Sequence, residues 1–310
     1  MISINRLENY KDYGRVVEIS NGIIEAYVTV DLGPRIIRFG FVGGENIMCD
    51  DRANAGNRTD KEYEEFFGKG KKWENMGGHR IWTAPESYPY CYNPDDQEVM
   101  VKETSQGAIF TPPAEIGTYL QKELEIKMDD DDASMQVTMR VTNLDKADKD
   151  FAIWGLSVCS TGGTLVLPTN DNDTGLLSNR KIIVWPYTDL TDERIYFGKR
   201  YVTLKQDVKA ETPIKLGLDL NKAIAYYCKK GDIFCKRIES SLPNGNYPDG
   251  GCNFETYTND VFIEVESLGE LKTVKSGETA VHREMWSLYK ADTNINFKSE
   301  EDIDNLLSNL

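Results

Sequence analysis

Short bursts in which apolar and polar residues alternate run through most of this chain. Ile23 to Val30 and Arg35 to Val42 are the first two, bracketed by the turn signals Asn21-Gly22, Gly33-Pro34 and Gly43-Gly44. Alternation returns at Leu120 to Met128, Met135 to Asn143, Phe151 to Cys159, Thr164 to Leu167, Lys181 to Trp185, Ile224 to Tyr227, Ile233 to Arg237 and Val261 to Ser267. A period of two puts successive side chains on opposite faces, so these segments are expected to be strands. No repeated amphipathic helices separate them, which argues against a parallel βαβ architecture and for a large antiparallel sandwich. Helical spacing is confined to Asp60 to Phe67 and to Glu300 to Leu310, where Ile303, Leu306 and Leu307 form one apolar stripe.

Two irregular stretches interrupt the strands. They are Asp50 to Asn75 and Ser241 to Asn253, the latter with Pro243-Asn244-Gly245-Asn246 and Pro248-Asp249-Gly250-Gly251. Long loops inside a domain are more often functional than ornamental. The acidic run Asp129 to Asp132 reads as a solvated hairpin turn, since it lacks the alternating oxygen ligands, glycine bend and distant glutamate of a calcium loop. Gly162-Gly163 follows a strand without the helix that would hold a phosphate, and reads as a tight turn. With no repeat, low-complexity linker or compositional break, residues 1–310 are expected to form one domain.

Charge narrows the partners. The chain has 51 acidic against 36 basic residues and a net charge of -15, a field that repels nucleic acid and anionic membrane and favours a neutral small-molecule ligand. No apolar run is long enough to span a bilayer, and Met1 to Tyr13 lacks the apolar core of an export signal, so a cytoplasmic protein is expected. The six cysteines, Cys49, Cys91, Cys159, Cys228, Cys235 and Cys252, form no CxxC pair and are expected to be buried free thiols. With His79 and His282 as the chain's two histidines, a histidine-rich zinc site is excluded, and no metal or other cofactor is expected. GxSxG, Walker A and an early GxGxxG are all absent.

Candidate chemistry concentrates in Gly77-Gly78-His79-Arg80-Ile81-Trp82-Thr83-Ala84-Pro85-Glu86, read as a loop. Arg80, just after two glycines, is placed for bidentate hydrogen bonding in a cleft. His79 either contacts a ligand or orders the glycines; Trp82 either packs in the core or stacks on a sugar; Glu86 either pairs with Arg80 or accepts from substrate. His282 is expected on the surface or partly buried in a strand. The second constellation runs from Phe254 to Gly269 and holds Glu255, Tyr257, Glu264 and Glu266. In a strand, Val261, Ile263 and Val265 share one face, and Glu264 and Glu266 the other. A solvated outer face leaves the carboxylates idle, whereas an enclosed one raises a pKa and makes a general base.

These segments, taken in order with Trp154-Gly155-Leu156-Ser157-Val158, Gly162-Gly163 and Trp185-Pro186-Tyr187-Thr188, resemble the galactose mutarotase-like proteins over nearly the whole chain. Within them the resemblance is to a bacterial branch marked by the Gly-Gly-His-Arg-Ile-Trp-x-Ala-Pro-Glu segment. It implies an all-β, single-domain antiparallel β-supersandwich with minor helices, whose concave sheet holds a carbohydrate. In active aldose 1-epimerases of this superfamily, a histidine protonates the ring oxygen while a glutamate near the C-terminus removes the anomeric proton. On that pattern Glu266 is implied as general base and Arg80 and His79 as the hydroxyl-binding pair, with Trp82, Glu86, Glu255, Tyr257 and Glu264 gripping the substrate.

The strand that carries the catalytic histidine in those enzymes reads Phe151 to Cys159 here and has none. His79 is then the acid that is left, ahead of Tyr257 or a tryptophan-bound water. Three functions stand as expectations: an aldose 1-epimerase or related sugar isomerase; a non-catalytic carbohydrate-binding or sensing protein that has lost the strand histidine; and a glycoside lyase or hydrolase using Glu264, Glu266 and Glu86. A phosphosugar would draw on Lys199-Arg200, or on Arg35 and Arg38, which otherwise read as solvated strand arginines.

Overall fold

The alternating segments pair into two large antiparallel sheets that enclose a common apolar core. In this computed structural model residues 1–239, 241, 245–308 and 310 are described, so the Pro243-Asn244 part of the second irregular stretch lies outside the described residues. The front sheet runs, in spatial order, β1 (Ser3–Leu7), β2 (Val16–Ser20), β3 (Ile24–Thr29), β4 (Ile36–Phe41), β7 (Gly78–Ala84), β12 (Lys149–Cys159), β21 (Ile263–Leu268), β20 (Phe254–Thr258), β17 (Ile214–Leu218) and β14 (Ile182–Val184), with β22 (Lys272–Val274) paired to β12. The back sheet runs β15 (Ile195–Phe197), β16 (Tyr201–Lys205), β13 (Thr164–Pro168), β18 (Ile224–Lys229), β19 (Asp232–Ile238), β23 (Thr279–Lys290), β11 (Ser134–Asn143), β10 (Leu120–Met128), β9 (Gly107–Thr111) and β8 (Met100–Thr104). A small pair, β5 (Asn57–Arg58) with β6 (Trp73–Glu74), and α1 (Lys61–Phe67) structure the first irregular stretch; α2 (Glu300–Leu307) closes the chain.

Burial follows the alternation. In β23 the residues His282, Glu284, Trp286 and Leu288 are buried and their neighbours are at least partly exposed, as in a strand with one wet face. In β12 every residue from Phe151 to Cys159 is buried, because α1 and its flanking loops cover the outer face of this strand. Tyr63, Phe67, Trp73, Trp82, Tyr92, Trp154 and Leu268 form a second apolar cluster there. Both predicted helices are present: Asp60 caps α1 through its side chain, and α2 buries Ile303 and Leu306. Asp129 to Asp132 joins β10 to β11 as an exposed turn, and all six cysteines are buried and unpaired.

The stretch from Gly78 to Ala84 is a central strand, not a loop. Two glycines make its entry possible: Gly77 and Gly78 have φ of +72° and +65°, and a Cβ at Gly77 would lie 2.1 Å from the Cys49 carbonyl oxygen. His282 is likewise fully enclosed, since its face of β23 looks into the sandwich.

Polar groups bridge the sheets inside the core. Lys236 of β19, with no exposed side-chain surface, sits 2.9 Å from Glu284 of β23. Its ammonium also donates to the front sheet, at 2.9 Å to the Gly155 carbonyl, 2.8 Å to the Val265 carbonyl and 3.1 Å to Ser157 Oγ. Ser267 donates to Glu284 and lies 2.7 Å from His282 Nε2, while Trp286 Nε1 donates to the other Glu284 oxygen at 2.6 Å. Removing one partner strands a buried charge, which typically costs about 3–5 kcal/mol. Lys236→Met should therefore lower unfolding free energy by about that amount in denaturant titrations. Lys236→Met/Glu284→Leu should recover part of the loss, and strictly additive single losses would show that the two groups are uncoupled.

Candidate functional site

Register decides which chemistry reaches the outer face of the front sheet. Arg80 in β7 pairs with Leu156 in β12, Leu156 with Glu266 in β21, and Glu266 with Glu255 in β20. Paired residues share a face, so these side chains form one row across the sheet. Adjacent rows bring Trp82 beside Trp154, and Tyr257 beside Lys215 of β17. Above them opens a cleft of about 380 Å³ whose walls include Trp73, Trp82, Tyr92, Trp154, Tyr187 and Tyr257, with Asn57, Asn75, Arg58, Arg80, Lys215, Glu86 and Glu264.

Its charges are arranged in two linked sets. Arg80 Nη2 lies 3.2 Å from Glu264 Oε1, and its guanidinium stands over the Trp82 ring at 4.6 Å. Lys215 Nζ lies 2.8 Å from Glu255 Oε2 and 3.4 Å from Glu266 Oε2, between the rings of Trp154 at 4.7 Å and Trp185 at 4.9 Å. Trp154 Nε1 donates to the same Glu266 oxygen at 2.9 Å. Glu86 accepts from the Tyr92 hydroxyl at the rim. Four buried polar atoms of this cluster have no hydrogen-bond partner: Glu255 Oε2, which is held by its ion pair with Lys215, and Arg80 Nε, Trp73 Nε1 and Glu266 Oε1, which have no ion-pair contact either.

Burial pushes the Glu266 carboxyl up to about 8; Lys215 opposes this and the like charges of Glu264 and Glu255 add to it. Glu255 is raised too, again first by burial and against the pull of Lys215. For Lys215, burial works against the charge, but Glu266, Glu255 and Glu264 outweigh it and hold the ammonium protonated. The phenol of Tyr257 keeps its proton more tightly than usual because of burial and the nearby Glu264.

Seven of the eight sequence-predicted site residues belong to this one assembly. Arg80, Trp82, Glu86, Tyr257 and Glu264 line the cleft, and Glu255 and Glu266 lie beneath it with no exposed surface. His79 is the correction. It neighbours Arg80 in a strand and so points the other way, into the core, where its ring meets Trp286 edge-on at 5.0 Å and Nδ1 lies 2.9 Å from Ser157 Oγ. It cannot donate to a ligand held beside Arg80. Burial, then the charge of Lys236, pulls His79 well below its ordinary pKa and His282 down to about 3.

Arg35, Arg38 and Arg200 are ion-paired away from the cleft, with Asp95, Glu25 and Glu300. Lys215 was not foreseen, because a lysine between Ile214 and Leu216 reads as a solvent-facing strand position. Trp73, Asn75 and Arg58 come from the first irregular stretch, whose length and glycines were the available signal. Among the described residues no group of three or more His, Cys, Asp or Glu could hold a metal ion, and no helix is long and apolar enough to cross a membrane.

No family model and no curated protein matches the chain. Solved structures do. A galactose mutarotase-like protein from Lactobacillus casei superposes with a TM-score of 0.57 at 11% identity, covering 93% of this chain and 100% of that one. A galactose mutarotase-like protein from Clostridium acetobutylicum gives 0.52 at 13% identity over 94% and 99%. A TPR-domain containing protein from Parabacteroides distasonis gives 0.57 at 12% identity over 93% of this chain and 51% of its own length. At these identities the likeness establishes the fold, a galactose mutarotase-like β-sandwich.

Two pH dependences follow from the buried groups. The histidines have folded pKa values below their unfolded value of about 6.5, so their contribution is intact above that pH and is lost as pH falls towards 3. His282→Asn should show a shallower loss of unfolding free energy between pH 6.5 and 4 than the parent, by up to about 1.4 kcal/mol per pH unit; equal slopes would rule the ring out. Glu266 has the opposite sign for a carboxylate: its folded pKa is raised, so its contribution is intact below about 4.5 and is lost as pH rises through about 8. Glu266→Gln, which resembles the protonated form, should flatten the fall in melting temperature from pH 5 to 8.5, and an unchanged fall would refute the assignment.

Proposed function

We propose that the cleft binds an aldose ring and that Glu266 accepts the proton of its anomeric hydroxyl, as in an aldose 1-epimerase. The observation that carries this reading is the set of orphaned atoms. Arg80 Nε and Trp73 Nε1 are donors and Glu266 Oε1 is an acceptor, all buried beside a cleft walled by aromatic rings. Buried polar groups are nearly always satisfied, so two unmatched donors and one acceptor around one cleft mark where ligand groups belong. A sugar supplies hydroxyls that donate and accept, and apolar ring faces for the indoles and phenols.

Glu266 supports proton transfer as well as binding. Its Oε2 is fixed by Trp154 and Lys215, which leaves Oε1 as the working oxygen, and its raised pKa makes it a stronger base than a free carboxylate. Because it has no exposed surface, an anomeric hydroxyl reaches it only by parting the side chains above, and proton transfer then takes place out of water. As Oε1 takes the anomeric proton, a phenol in the wall, Tyr257, gives one to the ring oxygen. The bond from the anomeric carbon to that oxygen breaks, the aldehyde turns about its bond to the next carbon, and the reverse transfers close the other anomer. The likeness to galactose mutarotase-like structures supports the same reading at the level of the fold.

One observation favours a second reading, a sugar binder without catalysis. Both histidines face the core, so the cleft has no imidazole to act as the acid. Exchange spectroscopy on pure hexose and pentose anomers separates the two. The epimerase reading expects accelerated interconversion that drops by about 10² to 10⁴ in Glu266→Gln. Saturable binding without acceleration selects the binder. In either case Arg80→Ala should weaken sugar binding at least about tenfold, the loss of one charge-assisted hydrogen bond. Unchanged affinity would move the site elsewhere.

A further inference from the structure

The outer face of the front sheet sets Glu255, Glu264 and Glu266 against Arg80 and Lys215, three carboxylates to two cations. Arg80 is engaged with Glu264, so Lys215 serves the other two. Its place is built from three elements. β17 delivers it opposite Tyr257, the Trp154 ring of β12 flanks it at 4.7 Å, and the Trp185 ring after β14 flanks it at 4.9 Å. An ammonium between two indole faces has little freedom to swing, and only 8% of its side chain is exposed.

We propose that Lys215 is the positioning residue of this cleft: clamped between Trp154 and Trp185, its ammonium joins Glu255 to Glu266 Oε2, leaves Glu266 Oε1 as the free acceptor and eases the ionisation of that carboxyl. The inference rests on the reading of Glu266 as the proton acceptor. Geometry supplies the positioning half. Trp154 Nε1 and Lys215 Nζ both take Oε2, so the carboxylate plane is held by two donors on one side. Electrostatics supplies the other half. The charged groups that bear on Glu266 are Lys215, Glu264, Glu255 and Arg80 on its own face and Lys236 from behind the sheet, and Asp249 adds to the negative charge around Glu255. Burial and the neighbouring carboxylates favour the protonated acid. Lys215 is the largest opposing influence, so without it Glu266 would ionise, and become able to accept a proton, only at a still higher pH.

The test reads Glu266 directly. Protein labelled with ¹³C at glutamate side-chain carboxyls is titrated by NMR, with the Glu266 resonance identified by its loss in Glu266→Gln. Lys215→Met should raise the Glu266 midpoint by about one pH unit or more, and Lys215→Arg should restore most of it. A midpoint that stays in place in a folded Lys215→Met overturns the proposal. Should Lys215→Met fail to fold, Glu255→Gln decides. Removing that like charge releases Lys215 to Glu266 and should lower the midpoint, and an unchanged or raised midpoint counts against the proposal.

Anomer exchange is followed on the same samples. On the proposed reading, Lys215→Met shifts the acid limb of the pH-rate profile upward and recovers exchange at higher pH. A moved midpoint in a protein whose wild type exchanges no anomers sinks the epimerase reading and leaves Lys215 in its role. An active wild type with an unmoved midpoint does the reverse.

Discussion

A buried ammonium with all its neighbours inside the protein fixes the relation between the two sheets. Lys236 starts on the back sheet and ends on front-sheet carbonyls, those of Gly155 and Val265. Leaving such a charge without partners costs several kcal/mol, so any slide of one sheet over the other is resisted by electrostatics as well as by packing. The approach leaves no room for a side chain at residue 155, where a Cβ would lie 2.5 Å from Glu284 Oε1. Gly155 and Val265 sit one residue from Trp154 and Leu156, and from Glu264 and Glu266. The cation behind the sheet thus steadies the strands whose other face forms the cleft floor.

Alternation keeps two polar systems apart that would otherwise interfere. In β7, His79 and Ile81 look into the core while Arg80 and Trp82 look out; in β21, Val265 and Ser267 look in while Glu264 and Glu266 look out. A slip of one residue would exchange Ser267 with Glu266 and His79 with Arg80, placing charges in the core and neutral groups in the cleft. The register is therefore specified by chemistry on both faces. It also explains why a histidine beside an arginine takes no part in the site: adjacency in a strand means opposition in space.

The sequence announced several strands with one wet face, as in Leu124 to Met128, where polar and apolar residues alternate, but not the exposed strands Ser3–Leu7 and Met100–Thr104, which bury too little to show a pattern. It was less legible where both faces are covered. Gly78 to Ala84 has polar residues on each side and two glycines at its start, so it reads as a loop, yet it is central to the sheet. The grouping of Glu264 with Glu266 followed from period two alone, whereas which face would be enclosed did not, because that depends on walls contributed by residues 56–92 and by Tyr187. Lys215 was hidden for the same reason. A lone lysine in an apolar strand signals solvent until Trp154 and Trp185 close over it, and those three meet only through tertiary pairing.

The electrostatics of the cleft bear on the kind of ligand it suits. Its two buried cations are already neutralised within the protein, Arg80 by Glu264 and Lys215 by Glu255 and Glu266. With a third carboxylate in the same cluster and a chain charge of -15, an anionic ligand would meet repulsion before it met a free cation at the floor. What the floor presents instead are single unmatched donor and acceptor atoms spaced among aromatic faces, a surface matched to neutral hydroxyls. Proton transfer in such a place has to rely on groups whose protonation burial has already set: a carboxylate made more basic, and a phenol that keeps its proton. On the proposed reading Glu266 and Tyr257 take these two roles without an imidazole, so the absence of histidine from β12 does not by itself argue against proton transfer in the cleft.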